Sequence, residues 1–282
     1  MIENLFLNIG AMKAGTTWLY DQLCAHPEIT FVPEKEIHYF FSVTGRWNML
    51  SQEARIQKFF ANANGKNPQE FQEDIAKICW YANYASSERV NNYWYQSLFN
   101  GAKGKYCADF CNLNSNINEA GWRRVRQNFS QKLKVTYCLR DPFKRVWSHY
   151  KFHMDWIGRG ENIISDGFDG FRNLLEEDWF KEIVRYDLVI KRLENNLTKD
   201  EFKIFYFEDF RASPQSALDQ LCEFLEIGKI DKSESELNNI VNASQNIKIP
   251  DEWSDFLWDY LDPVYAALDE KGFGHADWIR RA

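Results

Sequence analysis

The sequence predicts an α/β fold in a single domain over 1–282, with a central, mostly parallel sheet flanked by helices. Three passages from an apolar strand into a helix carry that prediction. LFLNIG (5–10) runs into a helix beginning near Thr16, and KVTYCLR (134–140) into a helix bearing Arg145, Ser148 and Tyr150. FKIFYFEDF (202–210) leads through Ser213 and Pro214 into QSALDQLCEFLEI. Apolar strands alternating with helices bury both faces of a parallel sheet. At 282 residues the chain can close a substantial core, and no internal repeat or linker interrupts it.

The first passage contains IGAMKAGTTWL (9–19). A loop between a strand and a helix offers backbone N–H groups and the positive end of the helix dipole to an anion. Gly10 and Gly15 permit a tight turn and close backbone approach. Their spacing is that of a Walker loop, G-x4-G-K-[ST], yet Thr16 stands where the Walker lysine belongs and the lysine lies inside the loop at Lys13. An ATPase reading therefore does not fit.

Next along the chain, PEKEIHYF (33–40) is expected near the end of a second strand, facing the same cleft. Residues 51–100 carry apolar residues at three- and four-residue spacing and are expected to be helical. GKYCADF (104–110) reads as a strand and WRRVRQNF as a short basic helix before the central strand. Pro142 and Pro214 suit the first turn of a helix, where a missing N–H costs nothing. GRGENIISDGFDG (158–170) is expected to be a glycine-rich loop, and 251–271 a helix broken near Pro263.

Lys plus Arg number 34 against 41 Asp plus Glu, a net charge of -7, which argues against a dedicated nucleic-acid binder while leaving room for a local basic pocket. The 22 Phe, 13 Tyr and 11 Trp are enough to build a core and to line a groove for a planar or sugar-like ligand. Six cysteines form no CxxC pair and no calcium-loop spacing is present, so no metal is expected. Buried thiols in a cytoplasmic protein are the plain reading. No signal peptide or membrane span is visible.

KAGTTWL resembles the 5′-phosphosulfate loop of sulfotransferases that use 3′-phosphoadenosine 5′-phosphosulfate (PAPS). LRDPFKRVWSHY (139–150) resembles the same family's 3′-phosphate segment, R-D-P-x-x-R-x-x-S-x-Y. The two motifs in this order, about 125 residues apart, make the resemblance specific, and LDPVYAAL and GFGHADW near the C-terminus are similar to the family's tail. The resemblance implies a P-loop-like phosphosulfate-binding turn. Ala14, Gly15, Thr16 and Thr17 would hold the 5′-phosphosulfate through backbone N–H groups and the threonine hydroxyls. Lys13 would neutralise charge as 3′,5′-adenosine bisphosphate (PAP) departs. Arg140, a rigid charged fork at a strand end, and Ser148, about two helical turns on, would hold the 3′-phosphate. Trp18 matches an adenine-stacking position, or else is a core aromatic of the first helix.

PEKEIHYF is similar to the K-E-x-H-[FY]-F segment of heparan-type sulfotransferases, whose glutamate is the catalytic base; Glu36 matches it. His38 is the competing base, because histidine titrates near neutrality and the family's cytosolic branch uses one. Lys35 is a second charge for the transferring sulfonate or a solvated lysine, and Glu34 reads as surface. Where heparan-type enzymes carry E-K-[ST]-P, this chain has ADFCN (108–112), which puts Asp109 and Phe110 at candidate acceptor positions and speaks against a polyanionic acceptor. A neutral sugar, a lipid-linked glycan or a small hydroxylated metabolite is expected instead, sulfated on a hydroxyl in preference to an amine. NASQNIK (242–248) is a candidate loop over the nucleotide, with Lys248 reaching the 3′-phosphate. A P-loop nucleotide kinase and a non-catalytic nucleotide-binding protein of the same fold are the competing readings.

Overall fold

The computed structural model describes residues 1–43, 47–238 and 247–279. Five strands form the sheet: β1 (Ile2–Asn8), β2 (Ile29–Phe31), β3 (Tyr106–Phe110), β4 (Phe129–Leu139) and β5 (Phe202–Tyr206), in the order β2-β3-β1-β4-β5. β1 and β2 both pair with β3 in parallel, with Leu5 opposite Cys107, Asn8 opposite Phe110 and Ile29 opposite Tyr106. The architecture is α/β with a central parallel sheet flanked by helices.

The chain forms two compact units, one of Met1–Ile9 with Leu23–Val135 and one of Gly10–Gln22 with Thr136–Ala282. In the first, β3 is buried at all five positions, as a central strand covered on both faces must be. Phe110 meets Phe6 and Phe31 edge-to-face at 5.3 and 5.2 Å, and Tyr39 stacks on Tyr95 at 5.0 Å. Phe6, Phe110 and Tyr95 are each fully buried, and burying a large apolar side chain contributes about 1.5–3 kcal/mol. Arg55 is also buried, and its guanidinium donates to the carbonyls of Leu50, Tyr84 and Ser87 at 3.2, 2.7 and 2.7 Å. That satisfies carbonyls at the end of the helix Ile75–Ser86. Residues 51–100 are helical as expected, in the segments Gln52–Ala63, Pro68–Glu73, Ile75–Ser86 and Asn92–Ser97.

In the second unit the helix Pro142–Trp156 is capped by Asp141, whose carboxylate accepts from the Lys144 N–H at 3.1 Å. The same buried carboxylate takes the Tyr265 hydroxyl at 2.9 Å and the Ile279 N–H at 2.7 Å, tying three segments to one residue. Two expectations need correction here. FEDF (207–210) is not strand: β5 stops at Tyr206 and a helix runs Phe207–Ala212. The helix Asp251–Glu270 is not broken at Pro263, which lies inside it. Pro263 is exposed while Leu257, Leu261, Val264 and Leu268 are buried, so the lost N–H falls on the wet face, where water can serve the opposing carbonyl, and the packed face holds the helix together. The stretch 158–170 contains a short turn of helix, Gly160–Asn162, and the start of another, Gly167–Glu176.

Candidate active site

The candidate phosphate loop lies in the second unit. Its entry is stitched to the end of β4, with the Ala11 N–H donating to the Cys138 carbonyl at 3.0 Å and the Cys138 N–H to the Gly10 carbonyl at 2.7 Å. Lys13 and Gly15 hold left-handed backbones at φ 67° and 84°. At Gly15 the conformation is easy and the space is not: a Cβ there would meet Phe207 at 2.9 Å and Phe210 at 3.1 Å. The helix then begins at Thr16 as expected. Thr16 is buried and Thr17 half-buried in its first turn. The Ala14 N–H donates to the Ala11 carbonyl at 3.2 Å, so it closes the turn, and an anion would draw on the N–H groups that follow it.

Arg140 follows β4 directly. Its Nη1 donates to the Lys13 carbonyl at 2.9 Å, its guanidinium lies 4.5 Å from the centre of the Phe207 ring, and its Nε is buried with no partner among the described residues. Its backbone N–H and carbonyl are both engaged by the Tyr186 hydroxyl, at 3.1 and 3.0 Å. Arg140 thus does two things that sequence separated: it braces the strained residue of the loop, and it keeps a donor in reserve. Ser148 is buried on the helix Pro142–Trp156, and Lys151 stands three residues on, on the same face.

These cations act on one another. Burial, then Arg140, then Lys151, hold the Lys13 ammonium below the ordinary lysine range, against a smaller opposing pull from Asp155. Burial and then Arg140 do the same to Lys151. Three crowded cations whose charged forms are disfavoured, beside a buried donor without a partner, fit an anion carrying more than one phosphate or sulfonate group. Sequence reasoning missed Lys151; the signal available was its place one helical turn beyond Ser148. Lys248 is exposed, and the carbonyl of its neighbour Ile247 accepts from the Trp147 indole at 2.9 Å. The rest of the candidate nucleotide loop, 242–246, lies outside the described residues. Trp18 takes the core role: it is 8% exposed, stacks on Phe210 at 5.1 Å and donates to the Leu237 carbonyl at 3.0 Å.

The acid–base cluster lies in the first unit. Glu36 follows β2 at a distance of five residues instead of ending it. Asn112 Nδ2 donates to Glu36 Oε1 at 2.9 Å, and His38 Nε2 is 3.9 Å from Glu36 Oε2. Burial raises the Glu36 carboxyl above its ordinary value, against a smaller lowering by Lys35. Lys35 is half-buried, and this pull on Glu36 is the effect through which it reaches the cluster. His38 holds a left-handed backbone, φ 62°, and burial, helped by Lys58, lowers its imidazole to about 4. Its Nδ1 is 3.1 Å from Cys111 Sγ. Burial thus drives the two candidate bases in opposite directions, strengthening the carboxylate and weakening the imidazole.

Three neighbours differ from their sequence reading. Glu34 is not a surface residue; it is half-buried, pairing with Lys58 at 2.8 Å and accepting from the Tyr81 hydroxyl at 3.2 Å. Phe110 sits in the core of the sheet, which removes it as an acceptor contact. Asp109 is buried too, accepting from the Tyr95 hydroxyl at 3.3 Å, and burial pushes its carboxyl up to about 7. The Glu36 charge adds to that rise.

The model of the sulfotransferase family matches residues 6–231 of this chain. The membrane-associated sulfotransferase kil1 of Dictyostelium discoideum is 23% identical over 328 residues, an alignment covering 86% of this chain and 61% of kil1. Carbohydrate sulfotransferase 15 of Mus musculus is 22% identical over 92% of this chain and 50% of its own length. The chain therefore spans about half to three-fifths of these relatives. Among solved structures, a sulfotransferase from Alicyclobacillus acidocaldarius superposes with a TM-score of 0.63 at 18% identity, covering 99% of this chain and 100% of that one. The sulfotransferase domain of the Synechococcus PCC 7002 olefin synthase gives 0.57 at 15% identity, with 93% and 95% covered. Among the described residues no helix is long and apolar enough to cross a membrane. With the family model covering most of its length, and the loop and arginine of the sequence motifs meeting in one basic cluster, the chain belongs to the sulfotransferase family.

Proposed function

We propose that residues 1–282 work as one sulfotransferase domain that moves a sulfuryl group from PAPS to a hydroxyl of a carbohydrate, glycolipid or small metabolite. The observation that carries the donor side is the crowding of Lys13, Arg140 and Lys151 around the loop, with the Arg140 Nε left buried and unpartnered among the described residues. PAPS, when bound, supplies an activated sulfuryl group on a phosphate leaving group. Lys13 offers an ammonium to the negative charge that develops on the departing phosphate oxygen. Arg140 and Ser148 take the 3′-phosphate, with Lys248 as a further charge. Glu36 accepts the acceptor hydroxyl's proton at a carboxylate oxygen, and Asn112 fixes that carboxylate. No motif asks for a metal in this reaction, and none is assigned to it.

On the acceptor side, Phe152 lies 5.0 Å from Lys13 Nζ and is 43% exposed, and Trp156, one turn further, is 76% exposed. Aromatic faces of this kind suit the apolar face of a sugar ring or a lipid-like body better than a polyanion. The six cysteines are all thiols, which suits a reducing compartment such as the cytoplasm.

The bisphosphate PAP tests the donor assignment against the kinase reading. At about 100 times its Kd, PAP is expected to stabilise the protein by about 2.7 kcal/mol, a rise in Tm of about 4–5 °C for a chain of this size. ATP with Mg²⁺ is expected to give little. The reverse pattern overturns the assignment. Arg140→Ala then asks what the arginine holds. If it binds the 3′-phosphate, PAP affinity falls about 30-fold or more while the affinity for adenosine 5′-phosphate changes by less than about threefold. If it serves only to brace Lys13, both nucleotides weaken together.

A further inference from the structure

Glu36, His38 and Cys111 each bring one donor atom into a group in which all three atoms lie within 4.8 Å of one another. Around a tetrahedral zinc ion, with metal–ligand bonds of about 2.0–2.3 Å, donor atoms sit roughly 3.3–3.8 Å apart. An ion takes one nitrogen of the imidazole: Cys111 Sγ lies 3.1 Å from Nδ1 and Glu36 Oε2 lies 3.9 Å from Nε2, so one of these partners must rotate toward the nitrogen the ion uses, from a starting separation within 4.8 Å.

Three further features favour an ion there. The thiol is fully buried while the side chains of His38 and Glu36 are 14% and 28% exposed, so an ion can enter from solvent and keep a water as fourth ligand. Asn112 holds Glu36 Oε1 at 2.9 Å, which orients the carboxylate and leaves Oε2 toward the imidazole, the arrangement by which outer-shell groups set a ligand. His38 adopts φ 62° and ψ 11°, a left-handed backbone that costs a non-glycine residue about 1–3 kcal/mol, and the imidazole so held is the one against Cys111. The charges facing the group are Asp109 from β3, with Oδ1 buried and unpartnered among the described residues, and, opposing it, Lys35 and Lys58. Lys58 is paired with Glu34.

We propose that Glu36, His38 and Cys111 form a site for a thiophilic divalent cation of the zinc class, and that the bound ion switches transfer off. The ion takes the carboxylate oxygen, a ring nitrogen and the Cys111 sulfur, whose proton leaves to solvent. Bound to the cation, the Glu36 carboxylate is too weakly basic to take the acceptor's proton. The switch rests on Glu36 being the base; the ion site does not.

The experiment uses the full chain in a Cys24→Ser/Cys79→Ser background, which removes the two exposed thiols. ZnCl₂ is titrated by calorimetry and CoCl₂ by visible absorbance, and PAPS-dependent transfer is followed with and without zinc. One equivalent of zinc is expected, with a cobalt spectrum showing a thiolate charge-transfer band. Cys111→Ser and His38→Gln are each expected to weaken zinc binding by about 100-fold, with PAP-induced stabilisation retained as evidence of folding. Saturating zinc is expected to abolish transfer and a chelator to restore it. Absence of the thiolate band, or zinc affinity unchanged in both variants, overturns the site. Stoichiometric zinc through Cys111 with transfer untouched overturns the switch. Separately, full activity in Glu36→Gln removes the base reading without touching the binding result.

Discussion

Glu36→Gln is expected to lower kcat by about 10²–10⁴-fold while leaving PAP affinity within about twofold. The substitution is close to isosteric, and an amide oxygen can still accept from Asn112 Nδ2 as Glu36 Oε1 does at 2.9 Å. What disappears is the capacity to take a proton. The pH profile gives an independent reading. Burial raises the Glu36 carboxyl above its ordinary 4.5. A base must be deprotonated to work, so transfer is lost as pH falls through that raised value and fully present above it. His38, lowered to about 4 by burial, would place the acid limb at about 4 instead. A wild-type limb near 4, combined with a dead His38→Ala and an active Glu36→Gln, would make the imidazole the base. The expected result is a limb above 4.5 that vanishes with the residual activity of Glu36→Gln.

The parts of this site that sequence made legible are those written in local backbone demands. A strand running into a helix through two glycines needs few long-range facts to be read as an anion loop, and Gly15 at φ 84° against Phe207 and Phe210 shows why nothing larger fits. Arg140 and Asp141 were legible for the same reason, as a strand end and a helix cap. Side-chain encounters across the chain were not. His38 and Cys111 meet at 3.1 Å over a separation of 73 residues, with no spacing pattern to announce them. Phe110 was placed beside an acceptor because its motif position suggested it, but a strand covered on both faces buries every residue it carries. FEDF has strand-forming aromatics, yet Phe207 and Phe210 pack against the phosphate loop from a helix, and that tertiary demand outweighs propensity.

Lys13→Met is expected to lower kcat by about 10²–10³-fold, the scale of removing one preorganised charge from a developing anion. PAPS affinity should fall by less than about tenfold, because the charge at stake appears only as the leaving group departs, whereas PAP, which carries that charge, should weaken more. Methionine keeps an apolar stem for Phe152 to pack against, and Arg140 still finds the carbonyl of residue 13, since that bond is to the main chain. The variant therefore separates charge from loop geometry. It also predicts a change in the opposite direction. Burial, Arg140 and Lys151 all disfavour the charged form of Lys13, so its folded-state pKa lies below its unfolded one. A basic group depressed in this way costs stability at every pH where the unfolded chain carries the charge and the folded one must keep it. Without ligand, Lys13→Met is thus expected to unfold at a higher temperature than the wild type near neutral pH. The difference should narrow as pH rises through the depressed pKa and Lys13 sheds its proton. With PAP bound, the advantage is expected to disappear, because the bisphosphate supplies the negative charge the cation cluster lacks. A variant that lost both activity and unliganded stability would mean that Lys13 is held for packing, and that its charge does not serve the leaving group.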